Sequence, residues 1–302
     1  MEEVLTIYVA GKKQDLIGNV SFTTNDETNG EEMTFSSLKK FKNGSIIKVT
    51  DNKAVQFLGT IVRMTDPEKP PYDYTAIDFS RSLNGDCLIQ FKGVRADEAL
   101  KSLFKKYGIK CSVCDIPTKI SKIYKDTIIN VAKNIMHLAY KDQGKKYYLE
   151  VRGAKVVVEQ KKKKKIRPTF VVQDDSAIER SIEELRNRVV IVSQGEKSMK
   201  VLARADAKKS QKSYGLMQHN EEADDKTTKV KAQAQAKTLL KKLNKQKNNK
   251  SLTLIVTKGA WSIRKNRMIY IKTKRLKGWY EIKSCTHEVQ SGTHKCTIDL
   301  EW

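Results

Sequence analysis

The sequence lacks any hydrophobic run long enough to cross a bilayer. Its longest early apolar stretch, Val4 to Ala10, falls well short of the roughly 20 residues that a spanning helix needs. It also lacks a basic leader followed by a small-residue cleavage site. We therefore expect no secretory signal, no membrane anchor and synthesis in a cytoplasm. Cysteine is scarce and odd in number: Cys87, Cys111, Cys114, Cys285 and Cys296. Such scattered thiols do not make a disulfide framework, so free thiols are the expected state. Histidine is scarcer, with only His137, His219, His287 and His294. There is no G-x-S-x-G, H-E-x-x-H, Walker loop or dinucleotide fingerprint. Carboxylates are plentiful, but nothing marks two of them as a glycosidase pair. The expectation is a protein that is not an enzyme, with no catalytic residues, no cofactor and no metal.

What is present is positive charge, unevenly spread. The chain of 302 residues carries a net +24. Residues 1–100 hold 12 Lys and Arg against 15 Asp and Glu, a net of −3, which leaves +27 for the other 202 residues. The asymmetry admits two readings: a polyanionic or acidic partner for the later part, or a lysine-rich solvated surface.

A chain of this length suggests two or three domains. Residues 1–85 alternate apolar and polar side chains in short runs, as in Leu5 to Val9, Val20 to Phe22, Met33 to Phe35, Ile46 to Val49 and Val55 to Val62. Turn signals such as Asn29-Gly30 and Asn43-Gly44 separate them, a pattern of barrels and sandwiches. Residues 86–160 read as a small α-α-β-β module. A first helix spans Arg95 to Tyr107, with Asp97 and Glu98 in its first turn and Gly108 after its end. A second starts near Thr127, capped by Asp126 or Thr127, and a hairpin turns at Arg152-Gly153. Residues 161–168 hold five successive lysines, Lys161 to Lys165, and read as a solvated basic linker. Residues 169–302 resume strands around one long helix at about 221–247. Its stripe is Ala232, Ala236, Leu239, Leu240 and Leu243, with Glu221, Glu222, Asp224 and Asp225 leading it. Strands Arg188 to Val192 and Lys200 to Arg204 are expected to pair across Gln194-Gly195, and residues 279–302 form a closing hairpin. The fold class is mainly β with an α/β insert.

Two cysteine patterns invite a metal reading. Cys111-Ser112-Val113-Cys114 is a single C-x-x-C without the second pair that a structural zinc site needs. No helix begins at it, as a thioredoxin-type motif requires. In the closing hairpin, C-x-H (Cys285, His287) meets H-x-C (His294, Cys296). Four ligands would share a face if Cys285 opposed Cys296, but that register sets Ile282 against Asp299. A three-residue loop, Gln290-Ser291-Gly292, instead sets Ile282 against Leu300, Tyr280 against Trp302 and Lys283 against Asp299. This register is the expected one. It divides the four ligands between two faces and removes the zinc site.

The stretch Trp279 to Trp302 resembles the closing segment of phage baseplate hub proteins of the XkdQ/YqbQ type, related to late control protein D. The resemblance lies in Thr286-His287, Ser291-Gly292 and the alternating Cys296 to Leu300. The Ala- and Lys-rich segment Asp225 to Leu243 is similar too. So is Gly93 to Gln160, with its Lys105-Lys106-Tyr107-Gly108-Ile109 and Gly144-Lys145-Lys146-Tyr147. The lysine run and the basic segment Ala260 to Lys277 depart from that pattern.

The resemblance implies a ring-shaped homotrimer with two tail-tube-like β-barrel domains per subunit, joining a sixfold tail tube to a threefold spike. Its partners would be copies of itself, the tail tube protein, a spike or needle protein, the tape-measure protein and other baseplate proteins. Nucleic acid would meet it only in lumen passage. It would act in a virion or phage-tail-like particle, including contractile bacteriocins and prophage elements. Two rival readings stay open: a basic nucleic-acid-binding structural protein, tested by the salt slope of DNA affinity, and a cell-wall hydrolase component.

Overall fold

The computed structural model describes residues 5–15, 17–24, 30–162, 164–175, 177–194, 199–223, 227–290 and 292–302. The expected turn residues Asn29, Gly195 and Ser291, the helix-leading Asp224 and Asp225, and Lys163 of the lysine run lie outside them. The chain forms two compact units, one of Met1–Ser176 with Ser251–Leu300, the other of Ala177–Lys250 with Glu301–Trp302. No helix among the described residues is long and apolar enough to cross a membrane.

The larger unit is mainly β. Its curled sheet runs in the order Thr169–Asp175, Lys247–Lys258, Thr293–Glu301, Lys277–Gln290, Ile17–Thr24, Glu31–Ser37, Tyr72–Asp78, Ala54–Thr65, Ile46–Asp51, Leu5–Val9, Lys12–Gln14. The early and late strands thus belong to one sheet. Their junction is antiparallel, Cys285 to Val289 against Thr24 to Val20, with Thr23 Oγ1 3.2 Å from Thr286 Oγ1. Period-2 alternation sends Phe22, Met33, Phe35, Val49, Phe57, Ile61 and Tyr74 into one core. Tyr74 stacks on Phe35 at 5.0 Å, and its hydroxyl accepts from Phe41 N and donates to Lys39 O. Gly59 lets the sheet close up, because a Cβ there would sit 2.4 Å from Ile77 O.

The α/β module within this unit follows its sequence closely. Helix Ala96–Lys106 buries Ala96, Ala99, Leu100, Leu103 and Phe104. Each large apolar side chain so buried contributes about 1.5–3 kcal/mol. Asp97 in its first turn binds Arg95 and Lys101, and Gly108 takes φ +68° beyond its end. Helix Ile128–Gln143 is capped by Thr127, whose hydroxyl accepts from Asn130 N, and ends at left-handed Gly144. Both helices pack on the antiparallel pair Asp86–Arg95 and Lys119–Thr127, and on a three-stranded sheet ordered Tyr147–Arg152, Lys155–Gln160, Cys111–Val113.

The lysine run is more structured than a linker. Lys165–Ile166 pairs in parallel with Met268–Ile269, and Met268 N donates to Lys164 O at 2.8 Å. Main-chain bonds hold the backbone while the side chains diverge. The Lys165 ammonium sits 4.9 Å over the Trp279 ring, and Lys161 pairs with Glu281 at 2.5 Å.

In the smaller unit, Arg188–Gln194 is central, antiparallel to Met199–Asp206 as expected and parallel to Gln218–Glu222. The long helix is shorter than its sequence suggested, Lys229–Leu243. Glu221 and Glu222 do not lead it. They belong to the strand, paired with Ile191 and Val192, because a parallel edge competes for the same backbone groups. Thr228 caps the helix instead, accepting from Lys231 N. Ala232 and Ala236 are buried against Val189 and Ile191, with Leu239, Leu240 and Leu243 alongside, so the apolar stripe was legible. A further short helix, Lys208–Tyr214, carries no buried residue and left no periodic signal.

Candidate functional site

The closing hairpin departs from its expected register. Ile282 does oppose Leu300, but a bulge at Lys283 shifts the rest by one residue. Ser284 takes Lys283's expected place opposite Asp299, and its hydroxyl bonds that carboxylate. On its other edge, strand Lys277–Gln290 pairs with Met268–Lys272, with Tyr280 opposite Ile269. Gln290 pairs with Thr293, so the loop is two residues rather than three, with Gly292 at φ +76°. The expectation that the four ligands split between two faces is therefore wrong. Cys285, His287, His294 and Cys296 all point inward from one face, and each is at most 2% exposed.

Together they make a hydrogen-bonded interior. His287 Nδ1 lies 2.9 Å from His294 Nε2. The other nitrogen, His287 Nε2, donates to Ile263 O at 2.8 Å and has Cys296 Sγ at 4.0 Å. Contacts to opposite sides of one ring do not converge on a point where an ion could sit. Among the described residues no group of three or more His, Cys, Asp or Glu is arranged to hold a metal. Burial, then the neighbouring His294, press the His287 pKa down to about 3, so the ring is neutral. Burial pushes the Cys285 thiol up to about 12 and Cys296 higher, which keeps both protonated. Cys285 Sγ donates to Ile263 O at 3.6 Å. Trp261 closes the cluster, stacked on His287 at 5.2 Å and edge-on to His294 at 4.9 Å.

The remaining sequence candidates stay apart. Cys111 begins a short strand parallel to Val156–Val158, and Cys114 N donates to Val158 O. No helix starts there, so the redox geometry is absent. His137 lies on helix Ile128–Gln143, with its ring 6.5 Å from that of Tyr140. His219 sits in strand Gln218–Glu222 with Nε2 3.3 Å from Glu221 Oε2.

A second polar interior had no signature in the sequence. Asp78 caps the 3-10 turn Phe79–Asn84 through Ser80 N at 2.9 Å and also accepts from Glu31 N at 3.1 Å. Arg264 reaches toward Glu31 at 3.7 Å and donates to Gln56 O and Trp261 O. Arg267 bonds both Glu150 oxygens, at 3.1 and 3.2 Å, and its guanidinium lies over Tyr148. Burial drives Glu31 up to about 7 against the pull of Arg264, and raises Asp78 as well. These groups tie the α/β module to the sheet. Glu31, Asp78, Glu150, Arg264 and Arg267 are far apart in the chain, and no local spacing announces them.

Comparison with known proteins places this architecture. A search of curated proteins found no match. The structure is similar to the 43 kDa tail protein of prophage MuSo2 from Shewanella oneidensis, with a TM-score of 0.73 and 13% identity, covering 99% of this chain and 98% of that one. It is similar to a tail protein from Neisseria meningitidis MC58, with a TM-score of 0.70 and 10% identity, over 100% and 97% of the two chains. Prophage tail protein gp18 from Listeria monocytogenes EGD-e follows, with a TM-score of 0.59 and 10% identity, over 98% and 94%. At such identities these likenesses establish a common fold. Residues 12–301 match the YQBQ-like family profile, nearly the whole chain, and the protein belongs to the YQBQ-like family.

Proposed function

We propose that this protein is a structural component of a phage tail or phage-tail-like particle. In this reading it is a baseplate hub, whose subunits form a trimeric ring between a sixfold tail tube and a threefold spike. The observation that carries the reading is the end-to-end fold likeness, in both directions, to proteins described as tail proteins. Two features support it. The buried histidines and thiols serve packing, with one His neutral and the thiols protonated, so this interior offers no activated nucleophile. The sheet path ends on one side in strand Lys12–Gln14, with one edge unpaired among the described residues, and that edge is available to a neighbouring subunit. Tail tube and spike or needle proteins would be its axial partners, with the tape-measure protein in the lumen. Its role is organisational rather than catalytic.

The test is cryo-electron microscopy of particles from the producing bacterium, together with light scattering of the purified chain. We expect a threefold ring where the tube meets the spike, and trimers in solution or on addition of the tube protein. A monodisperse monomer that never enters particles would refute it.

A further inference from the structure

Two basic runs far apart in the sequence lie side by side. The parallel pairing of Lys165–Ile166 with Met268–Ile269 brings the lysine run next to the basic strand and turn that follow Met268. Beside them is an open cleft of about 940 Å³. Its apolar walls are Phe170, Val172, Tyr270 and Trp279, and its cations are Arg167, Lys272 and Lys274. All three cations are exposed, and none forms an ion pair among the described residues. One wall is strand Thr169–Asp175, which pairs with Lys247–Lys258 on one side and with no strand on the other among the described residues.

We propose that this cleft docks an extended acidic segment of a partner polypeptide, added along the free edge of Thr169–Asp175. The edge supplies the N–H and C=O groups that an added strand needs. The added strand turns every second side chain into the cleft, where carboxylates meet the three cations and their apolar stems pack on the aromatic and aliphatic walls. A nucleic acid fits less well. Base stacking needs an open aromatic face, but Trp279 already has Lys165 at 4.9 Å and Arg167 at 5.7 Å from its ring centre, and Tyr270 packs edge-on at 5.6 Å. The inference rests on the charge and geometry of this unit and does not depend on the trimeric ring.

The test uses the purified full-length chain and three fluorescein-labelled probes. One is a peptide of about eight residues alternating Glu with Val, a typical strand length. The second has Gln in place of each Glu, and the third is an oligothymidylate of about 20 nucleotides, long enough for a single-strand site. Anisotropy should show saturable binding of the acidic peptide, weakened about tenfold between low and physiological salt as screening grows. The Gln peptide should bind at least about tenfold more weakly, and so should the K272E/K274E variant with the acidic peptide. If that charge reversal disturbs the circular dichroism, K272Q/K274Q decides, with a smaller loss in the same direction. Hydrogen exchange should slow at the amides of 169–175 when the acidic peptide is added. Equal binding of the Gln peptide, or an unchanged affinity in the variants, would overturn the proposal. So would displacement of the peptide by oligothymidylate, unaltered exchange along the edge, or loss of self-association on adding the peptide, which would assign the cleft to a second copy.

Discussion

His294 Nε2 donates its proton to His287 Nδ1 across 2.9 Å, an assignment forced by the other side of the His287 ring. There, His287 Nε2 donates to Ile263 O at 2.8 Å, which leaves Nδ1 as the only acceptor on that ring. A proton added at Nδ1 would face another donor inside an apolar shell that includes Trp261.

The interior histidine therefore resists acid. With its folded pKa pressed down to about 3, below the unfolded value near 6.5, its full contribution to stability is present above about pH 6.5 and is lost as pH falls toward 3. Denaturant titrations should show the native protein losing about 2 kcal/mol relative to a His287→Gln variant between about pH 7 and pH 5. Parallel pH profiles for the two proteins would sink this account.

Glu31 acts with the opposite sign. Burial raises its folded pKa to about 7, so its favourable contribution is complete below the unfolded value of about 4.5 and fades as pH rises through 7. Relative to Glu31→Gln, the native protein should lose about 2 kcal/mol between about pH 5 and pH 7. The two slopes nearly cancel in the native protein, and each variant should expose the other. Should the Glu31→Gln variant show no new acid sensitivity, the buried carboxyl is not protonated as described.

Alternation and turn chemistry made much of the fold legible, and the failures have specific causes. The Tyr147–Arg152 hairpin, the cap at Thr127 and the stripe from Ala232 to Leu243 all depend on neighbours within a few residues, which spacing reports. Glu221 and Glu222 read locally as the start of a helix because their strand partners, Ile191 and Val192, lie about thirty residues upstream in a parallel pair. The histidine cluster was lost to one bulged residue. Both registers satisfy the Ile282 and Leu300 end of the hairpin, and only a three-dimensional core selects the register beyond Lys283. The Glu31 and Arg264 contact joins a strand to a loop more than two hundred residues later and has no local trace.

Gly59 should not tolerate a methyl group. A Cβ there meets Ile77 O at 2.4 Å and Phe57 Cζ at 2.8 Å, and the carbonyl belongs to a paired strand that cannot give way. Gly59→Ala should destabilise by more than about 2 kcal/mol, measured by denaturant unfolding. A loss below about 0.5 kcal/mol would mean that the two strands sit further apart than described.

Thiol chemistry separates the five cysteines. Cys87, Cys285 and Cys296 are buried, while Cys111 and Cys114 are half-buried, and desolvation raises the pKa of all five. Native-state alkylation followed by mass spectrometry should label Cys111 and Cys114 first, slowly at neutral pH and faster as pH rises. Treatment with a chelator should leave the melting temperature unchanged. Early labelling of Cys285 or Cys296, or a chelator-dependent loss of stability, would reopen the metal reading of the hairpin.

The seam between Ile17–Thr24 and Lys277–Gln290 sets a timetable for biosynthesis. Thr23 and Thr286 meet across 263 residues of sequence, so one edge of Ile17–Thr24 stays uncovered until Lys277–Gln290 has left the ribosome. Closing so distant a contact is slow, and a waiting strand edge invites wrong partners. The α/β module, whose core is built from residues between Leu83 and Val158, can form early and keep that stretch out of trouble. A nascent chain stalled before Lys277 would hold a finished module and an unfinished sheet, the state in which chaperones would be needed most.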